Sequence, residues 1–131
     1  MNSEPRILLV DDDPILHKIL GAAFRHRGFE VQTASDGQEG LKVVEEFKPN
    51  LIVLDIMMPK MDGYEFCRRL RRDSSVPDTP ILVLTALGDL SLLQESREDP
   101  DIQIDEFLTK PVRVSELLER VKAMLWLNEP I

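Results

Sequence analysis

Leu51-Ile52-Val53-Leu54-Asp55-Ile56-Met57-Met58-Pro59-Lys60-Met61-Asp62-Gly63 is the stretch on which the reading of this chain turns. Four apolar residues run into a carboxylate, and turn-forming residues follow at once. An apolar run of this length bounded by turn signals fits a strand buried on both faces of a parallel sheet. Asp55 then stands where the strand emerges, and in open α/β sheets the reactive crevice lies beyond those carboxyl ends. Pro59, Asp62 and Gly63 punctuate the loop before the next helix. Taken alone, Asp55 would read as a helix-capping residue, and its neighbours decide the matter.

Upstream, Ile7-Leu8-Leu9-Val10 leads into Asp11-Asp12-Asp13-Pro14. This is a second buried-type strand ending in acid, with Asp13 as the N-cap of a helix and Pro14 in its first turn. Ile15, Leu16, Ile19, Leu20, Ala23 and Phe24 mark one apolar face of that helix, and Gly28 stops it. Val31-Gln32-Thr33-Ala34 reads as an edge strand. A helix follows from about Asp36 to Phe47, with Leu41, Val44 and Phe47 inward and Glu45 and Glu46 outward; Lys48-Pro49-Asn50 ends it.

Downstream, a helix over Tyr64 to Arg72 buries Phe66, Cys67 and Leu70. Its Arg68, Arg69, Arg71 and Arg72 resemble a phosphate-binding run, but the helical spacing of the apolar residues between them reads them as a solvated face. Ile81-Leu82-Val83-Leu84-Thr85-Ala86 is another buried strand, ending in a hydroxyl. Asp89 to about Glu98 fits a short helix that Asp99-Pro100 must end, and 101–105 is ambiguous. Glu106-Phe107-Leu108-Thr109 is a short edge strand before Lys110-Pro111. Val114, Leu117, Leu118, Val121 and Leu125 line the last helix, which Asn128 and Pro130 close.

Strands alternating with helices give an α/β fold with a doubly wound, five-stranded parallel sheet. Right-handed crossovers narrow the topology, and the flavodoxin-like order 2-1-3-4-5 is expected. The 131 residues, 43% hydrophobic and 31% charged, suit a single domain over 1–131 with its core at about 6–126. A net charge of −8 argues against a nucleic-acid surface. One cysteine, Cys67, excludes an internal disulfide and fits a reducing compartment. The opening residues show no signal region and no run approaches membrane-spanning length, so a cytoplasmic protein is expected.

Parallel strands aim their ends the same way, so Asp11, Asp12, Asp55, Thr85 and Lys110 converge on one edge. Crowded carboxylates raise one another's pKa, and a divalent cation relieves this. An all-oxygen set with few protein ligands suits Mg²⁺, and no Cys or His cluster offers zinc or copper sites. A carboxylate can also act as a nucleophile toward phosphorus, with metal, ammonium and hydroxyl stabilising the transferring group.

On Ile7–Pro14, Leu54–Gly63, Leu84-Thr85-Ala86 and Leu108-Thr109-Lys110-Pro111, the chain resembles the CheY-like receiver domain of bacterial two-component response regulators, from Arg6 to Trp126. The resemblance implies that Asp55 accepts a phosphoryl group from a phosphohistidine on a histidine kinase or phosphotransfer protein. It implies direct Mg²⁺ ligation by Asp12, Asp55 and the backbone carbonyl of Met57, with Asp11 acting through water. Lys110 would pair with the phosphate, Thr85 would hydrogen-bond to it, and Thr85 with Phe107 would form the switch. The Lys110-Pro111 bond would be cis. Met57 and Leu87 occupy positions that flank the water path for dephosphorylation, and their apolar bulk implies slow loss of phosphate. Such a protein is a signalling switch rather than an enzyme acting on other molecules.

Two departures stand out. The segment between Thr85 and Lys110 is longer than the common form, and Glu98-Asp99-Pro100-Asp101-Ile102-Gln103-Ile104 replaces the small residues that usually precede the last strand. Homodimerisation through the surface formed by the short helix, the last strand and the last helix is therefore expected to be unconventional or absent. It would set Asp105 and Glu106 against a helix holding Arg97 beside Glu95, Glu98 and Asp99. Two other classes compete. A pseudo-receiver that only binds partners is opposed by the intact acid pair, Asp55, Thr85 and Lys110. An aspartyl-phosphate phosphatase would need an acid/base Asp where this chain has Met57.

Overall fold

Strands β1 (Arg6–Val10), β2 (Glu30–Ala34), β3 (Leu51–Asp55), β4 (Ile81–Thr85) and β5 (Glu106–Thr109) form one parallel sheet in the order β2-β1-β3-β4-β5. The structure is a computed structural model that describes residues 4–55, 63–85, 98–99 and 102–127. The expected order and the edge positions of β2 and β5 are both present. Helices α1 (Pro14–His26), α2 (Gly37–Phe47), α3 (Gly63–Asp73) and α4 (Val114–Leu127) cover the sheet. Of the short helix expected from Asp89, all but Glu98 lies outside the described residues, as do Met57, Leu87, Asn128 and Pro130.

Every residue of β3 and β4 is buried, as expected for strands covered on both faces. Alternation along each strand splits the core in two. Ile7, Leu9, Val53, Leu82 and Leu84 pack with Leu20 and Phe24 of α1 and with Leu117 and Val121 of α4. Leu8, Val10, Ile52, Leu54 and Val83 pack on the other face with Val44 of α2 and Phe66, Cys67 and Leu70 of α3. Ile102, from the stretch that was ambiguous in sequence, is fully buried in this second cluster. Met124 joins the first.

Helix ends follow local chemistry. The Asp13 carboxylate accepts from the Ile15 N–H at 2.9 Å, and Pro14 opens α1. At the other end Gly28 takes φ +92°, a region open to glycine. Its N–H donates to the Arg25 carbonyl, and the Phe29 N–H donates to that of Phe24. The Phe24 and Phe29 rings then meet edge to face at 6.1 Å, the apolar contact that accompanies this kind of helix stop. Asp36 caps α2. The Arg6 guanidinium donates to the terminal carbonyls of Phe47 and Lys48, where a cation also suits the helix dipole.

The apolar face of α1 is only partly covered, and one expectation needs correction. Ile15 and Ile19 are 66% and 52% exposed, because the sheet covers only the Leu16, Leu20 and Phe24 side of α1. The arginines of α3 are not uniformly a solvated face. Arg69 is exposed and pairs with Glu65 one turn away. The Arg71 side chain is only 9% exposed and donates to the carbonyls of Pro77, Thr79 and Gln103 and to Asp105. Burial pulls its pKa below the ordinary value, with Asp105 opposing. Its fork ties the chain before β4 to the chain before β5, because Asp105 also accepts the Ile81 N–H at 2.8 Å.

Candidate functional site

Register sets the site. Val10 pairs with Leu54, Asp55 with Leu84 and Thr85 with Thr109, so the carboxyl ends of β1, β3, β4 and β5 lie side by side. Asp11 directly follows β1 and anchors there through its N–H to the Ala34 carbonyl at 3.0 Å. Asp55 ends β3 and Thr85 ends β4, and all three are at least 95% buried. Lys110 follows β5, with its backbone N–H on the Thr85 carbonyl at 2.8 Å. The Lys110-Pro111 bond is cis.

Three carboxylates and one ammonium come together at this edge. Lys110 Nζ lies 2.7 Å from Asp55 Oδ2, a charge-assisted contact between a part-exposed ammonium and a buried carboxylate. Oxygens of Asp11, Asp12 and Asp55 all lie within 4.8 Å of one another, Asp12 being the exposed member. Asp11 Oδ1 accepts the Asp13 N–H at 2.8 Å, whereas its buried Oδ2 has no hydrogen-bond partner among the described residues. The Asp11 pKa rises from 3.8 to about 6, chiefly through burial and further through the Asp55 charge; the Asp13 N–H and Lys110 act in the opposite sense.

Among the described residues, three carboxylates against one ammonium leave net negative charge. The donor set is all oxygen, and the two features together suit a hard divalent cation. Phe107 is half-buried and packs against the α2–α3 core cluster, two residues before Thr109, the partner of Thr85. Met57 and Leu87 fall outside the described residues, so the site described here consists of Asp11, Asp12, Asp55, Thr85 and Lys110.

One neighbour escaped the sequence reading. His17, one turn into α1, lines a small pocket together with Asp11 and Asp55. A lone histidine among Leu16, Ile19 and Leu20 gives little signal by itself. Its place four residues after the N-cap that follows the acid pair is the clue.

A family model described as the response regulator receiver domain matches residues 7–122. A DNA-binding dual master transcriptional regulator, RpaA, of a Synechocystis species is 44% identical over 92% of this chain and 49% of its own length. The response regulator MprA of Mycobacterium leprae is 42% identical over 95% of this chain and 53% of its own. The chain thus spans about half the length of these curated relatives. Among solved structures, the chemotaxis protein CheY4 of Vibrio cholerae superposes with a TM-score of 0.83 at 30% identity, covering 92% of this chain and 98% of that one.

Proposed function

Since the chain belongs to the response regulator receiver domain family, we propose that it is a phosphorylation-controlled switch in which Asp55 accepts a phosphoryl group from a phosphohistidine. The observation that carries this reading is the placement of Asp55, 2.7 Å from Lys110 and within 4.8 Å of the acid pair, at the buried end of the central strand. In this reading residues 6–126 form one phosphoacceptor domain.

Asp55 supplies the attacking oxygen. Burial strips water from it, and Lys110 holds it in place and then offers its ammonium to the incoming phosphoryl oxygens. Asp12, Asp55 and the Met57 carbonyl would hold Mg²⁺, with Asp11 acting through water; when bound, the ion offsets charge on the phosphoryl oxygens. Thr85, at the end of the neighbouring strand, would donate its hydroxyl to the phosphoryl group, drawing Phe107 toward the space it leaves. Met57 and Leu87 remain the proposed determinants of a slow return to the unphosphorylated state.

A donor protein must bring its phosphohistidine to this edge. Ile15 and Ile19 present exposed apolar surface on the first turns of α1, whose N-terminus begins beside the acid pair. A groove of about 520 Å³ is lined by Leu16 and Leu20 of the same helix together with Lys110, Pro111 and Val112. The relatives are about twice as long, and the DNA binding named for the Synechocystis protein belongs to that protein. For this chain, a net charge of −8 supports signalling to an output rather than direct contact with nucleic acid. Among the described residues no helix is long and apolar enough to cross a membrane.

The test is intact-mass analysis after incubation with acetyl phosphate. One phosphoryl group is expected with Mg²⁺ and none with EDTA or in Asp55→Asn. Equal labelling of Asp55→Asn would remove Asp55 from its role, and absence of any labelling in the wild type would favour the pseudo-receiver.

A further inference from the structure

Near the carboxylates, two buried polar atoms lack hydrogen-bond partners among the described residues: Oδ2 of Asp11 and Nε2 of His17. Both residues line one small pocket, which Asp55 also borders. That space offers about 10 Å³ to the centre of a water-sized sphere, room for a single molecule. Its remaining walls are apolar, with Leu9, Leu16, Leu20, Val53 and Leu84 among them. Polar atoms left unpaired among such walls are strongly disfavoured, and a water held by two to four polar partners is the usual remedy. No hydrogen bond joins the two atoms directly, and one water in the shared space can reach both.

The local fold explains why His17 is there. Asp13 caps α1 and Pro14 opens it, so His17 sits one turn in, its backbone N–H on the Asp13 carbonyl at 3.1 Å. Side chains on a helix lean toward its N-terminus. The ring therefore leans back toward the end of β1, where Asp11 emerges.

We propose that a buried water bridges His17 Nε2 to Asp11 Oδ2, and that His17 acts through it as a positioning residue for the acid pair. An ionised carboxylate only accepts, so the water donates one hydrogen to Asp11 and meets His17 either by accepting an Nε2–H or by donating its second hydrogen to the Nε2 lone pair. The other oxygen of Asp11 is already fixed by the Asp13 N–H at 2.8 Å. With both oxygens held, the carboxylate cannot turn about its last torsion, and it keeps one orientation toward Asp12 and Asp55. This inference rests on the reading of the acid cluster as a divalent-cation site and adds a residue outside that cluster.

Three proteins test it: wild type, His17→Leu, which removes the polar atom, and His17→Gln, which restores an amide N–H at similar reach. The primary readout is Mg²⁺ affinity by calorimetry, without phosphodonor, after urea midpoints confirm folding. Loss of a group supporting metal ligands typically weakens binding by about tenfold or more, so His17→Leu should fall by about tenfold and His17→Gln should stay within about threefold of wild type. A wild type that binds Mg²⁺ with His17→Leu binding equally well overturns the role of His17 and leaves the Asp55 reading intact. A wild type that binds no Mg²⁺ overturns both. Should His17→Leu fail to fold, the wild-type ¹H–¹⁵N spectrum decides. A cross-peak between the His17 ring and a long-lived water supports the bridge, and the absence of any such water overturns it.

Discussion

Asp11→Asn should stabilise the metal-free protein, by an amount that depends on pH. The Asp11 side chain is buried, and its pKa rises from 3.8 to about 6. A carboxyl raised in the folded state gives its full stabilisation below the unfolded pKa and loses it as pH rises through the folded value. The gap of roughly two units corresponds to about 3 kcal/mol between those limits. Asn carries no charge, and its Oδ1 can still accept the Asp13 N–H. The gain of Asp11→Asn over wild type should therefore be about 3 kcal/mol near pH 7.5 and only about 1 kcal/mol near pH 4.5, where Asp11 is largely protonated in the folded state. Urea unfolding in EDTA at both pH values measures the difference, and titrating groups remote from Asp11 cancel between the two proteins. Millimolar Mg²⁺ should close part of the gap at the higher pH by stabilising wild type more than the variant. A gain of equal size at both pH values would refute the reasoning, because a pH-independent change cannot come from the charge on Asp11.

Arg71→Lys should destabilise by about 2 kcal/mol, since an ammonium cannot satisfy the carbonyls that the guanidinium fork reaches. Arg69→Lys, on the exposed pair with Glu65, should change stability by less than about 0.5 kcal/mol in the same denaturation assay. Gly40→Ala should cost about 1–3 kcal/mol, because a Cβ there would meet Phe66 Cε2 at 3.0 Å and Val10 Cγ2 at 3.2 Å; a neutral result would show that α2 can lift off the sheet. The double variant Ile15→Lys with Ile19→Lys should lower phosphotransfer from a histidine kinase by about tenfold, roughly 1.4 kcal/mol, while leaving the rate with acetyl phosphate unchanged. Equal losses with both donors would place the defect in the site rather than in docking.

The strands were legible because β1, β3 and β4 are buried on both faces and so carry uninterrupted apolar runs. The site was legible for a related reason: the run must end in polar residues where the chain leaves the sheet, and a parallel sheet collects those ends. Other features had a signal that was weighted wrongly. Arg71 lies four residues after the buried Cys67, on the same side of α3, so helical spacing already placed its stem toward the core. Met124 lies three residues after Val121 in the same way. Ile15 and Ile19 had the opposite fault. Their periodicity was sound, but apolar spacing cannot tell how much of a helix the sheet covers. Ile102 had no pattern to read, because a single apolar residue in an irregular stretch is buried only by what the fold brings around it. The same holds for His17, whose partner space exists only once α1 is laid against the end of β1.

The claim that Asp55 is the acceptor can be read out chemically. Borohydride reduces an aspartyl phosphate and leaves an ordinary carboxylate untouched, converting the modified residue to homoserine. Protein treated with acetyl phosphate and Mg²⁺, reduced, digested and mapped by mass should show that conversion in the peptide containing Leu51–Asp55, at Asp55 alone. Conversion at Asp11 or Asp12 with Asp55 unmodified would contradict the account.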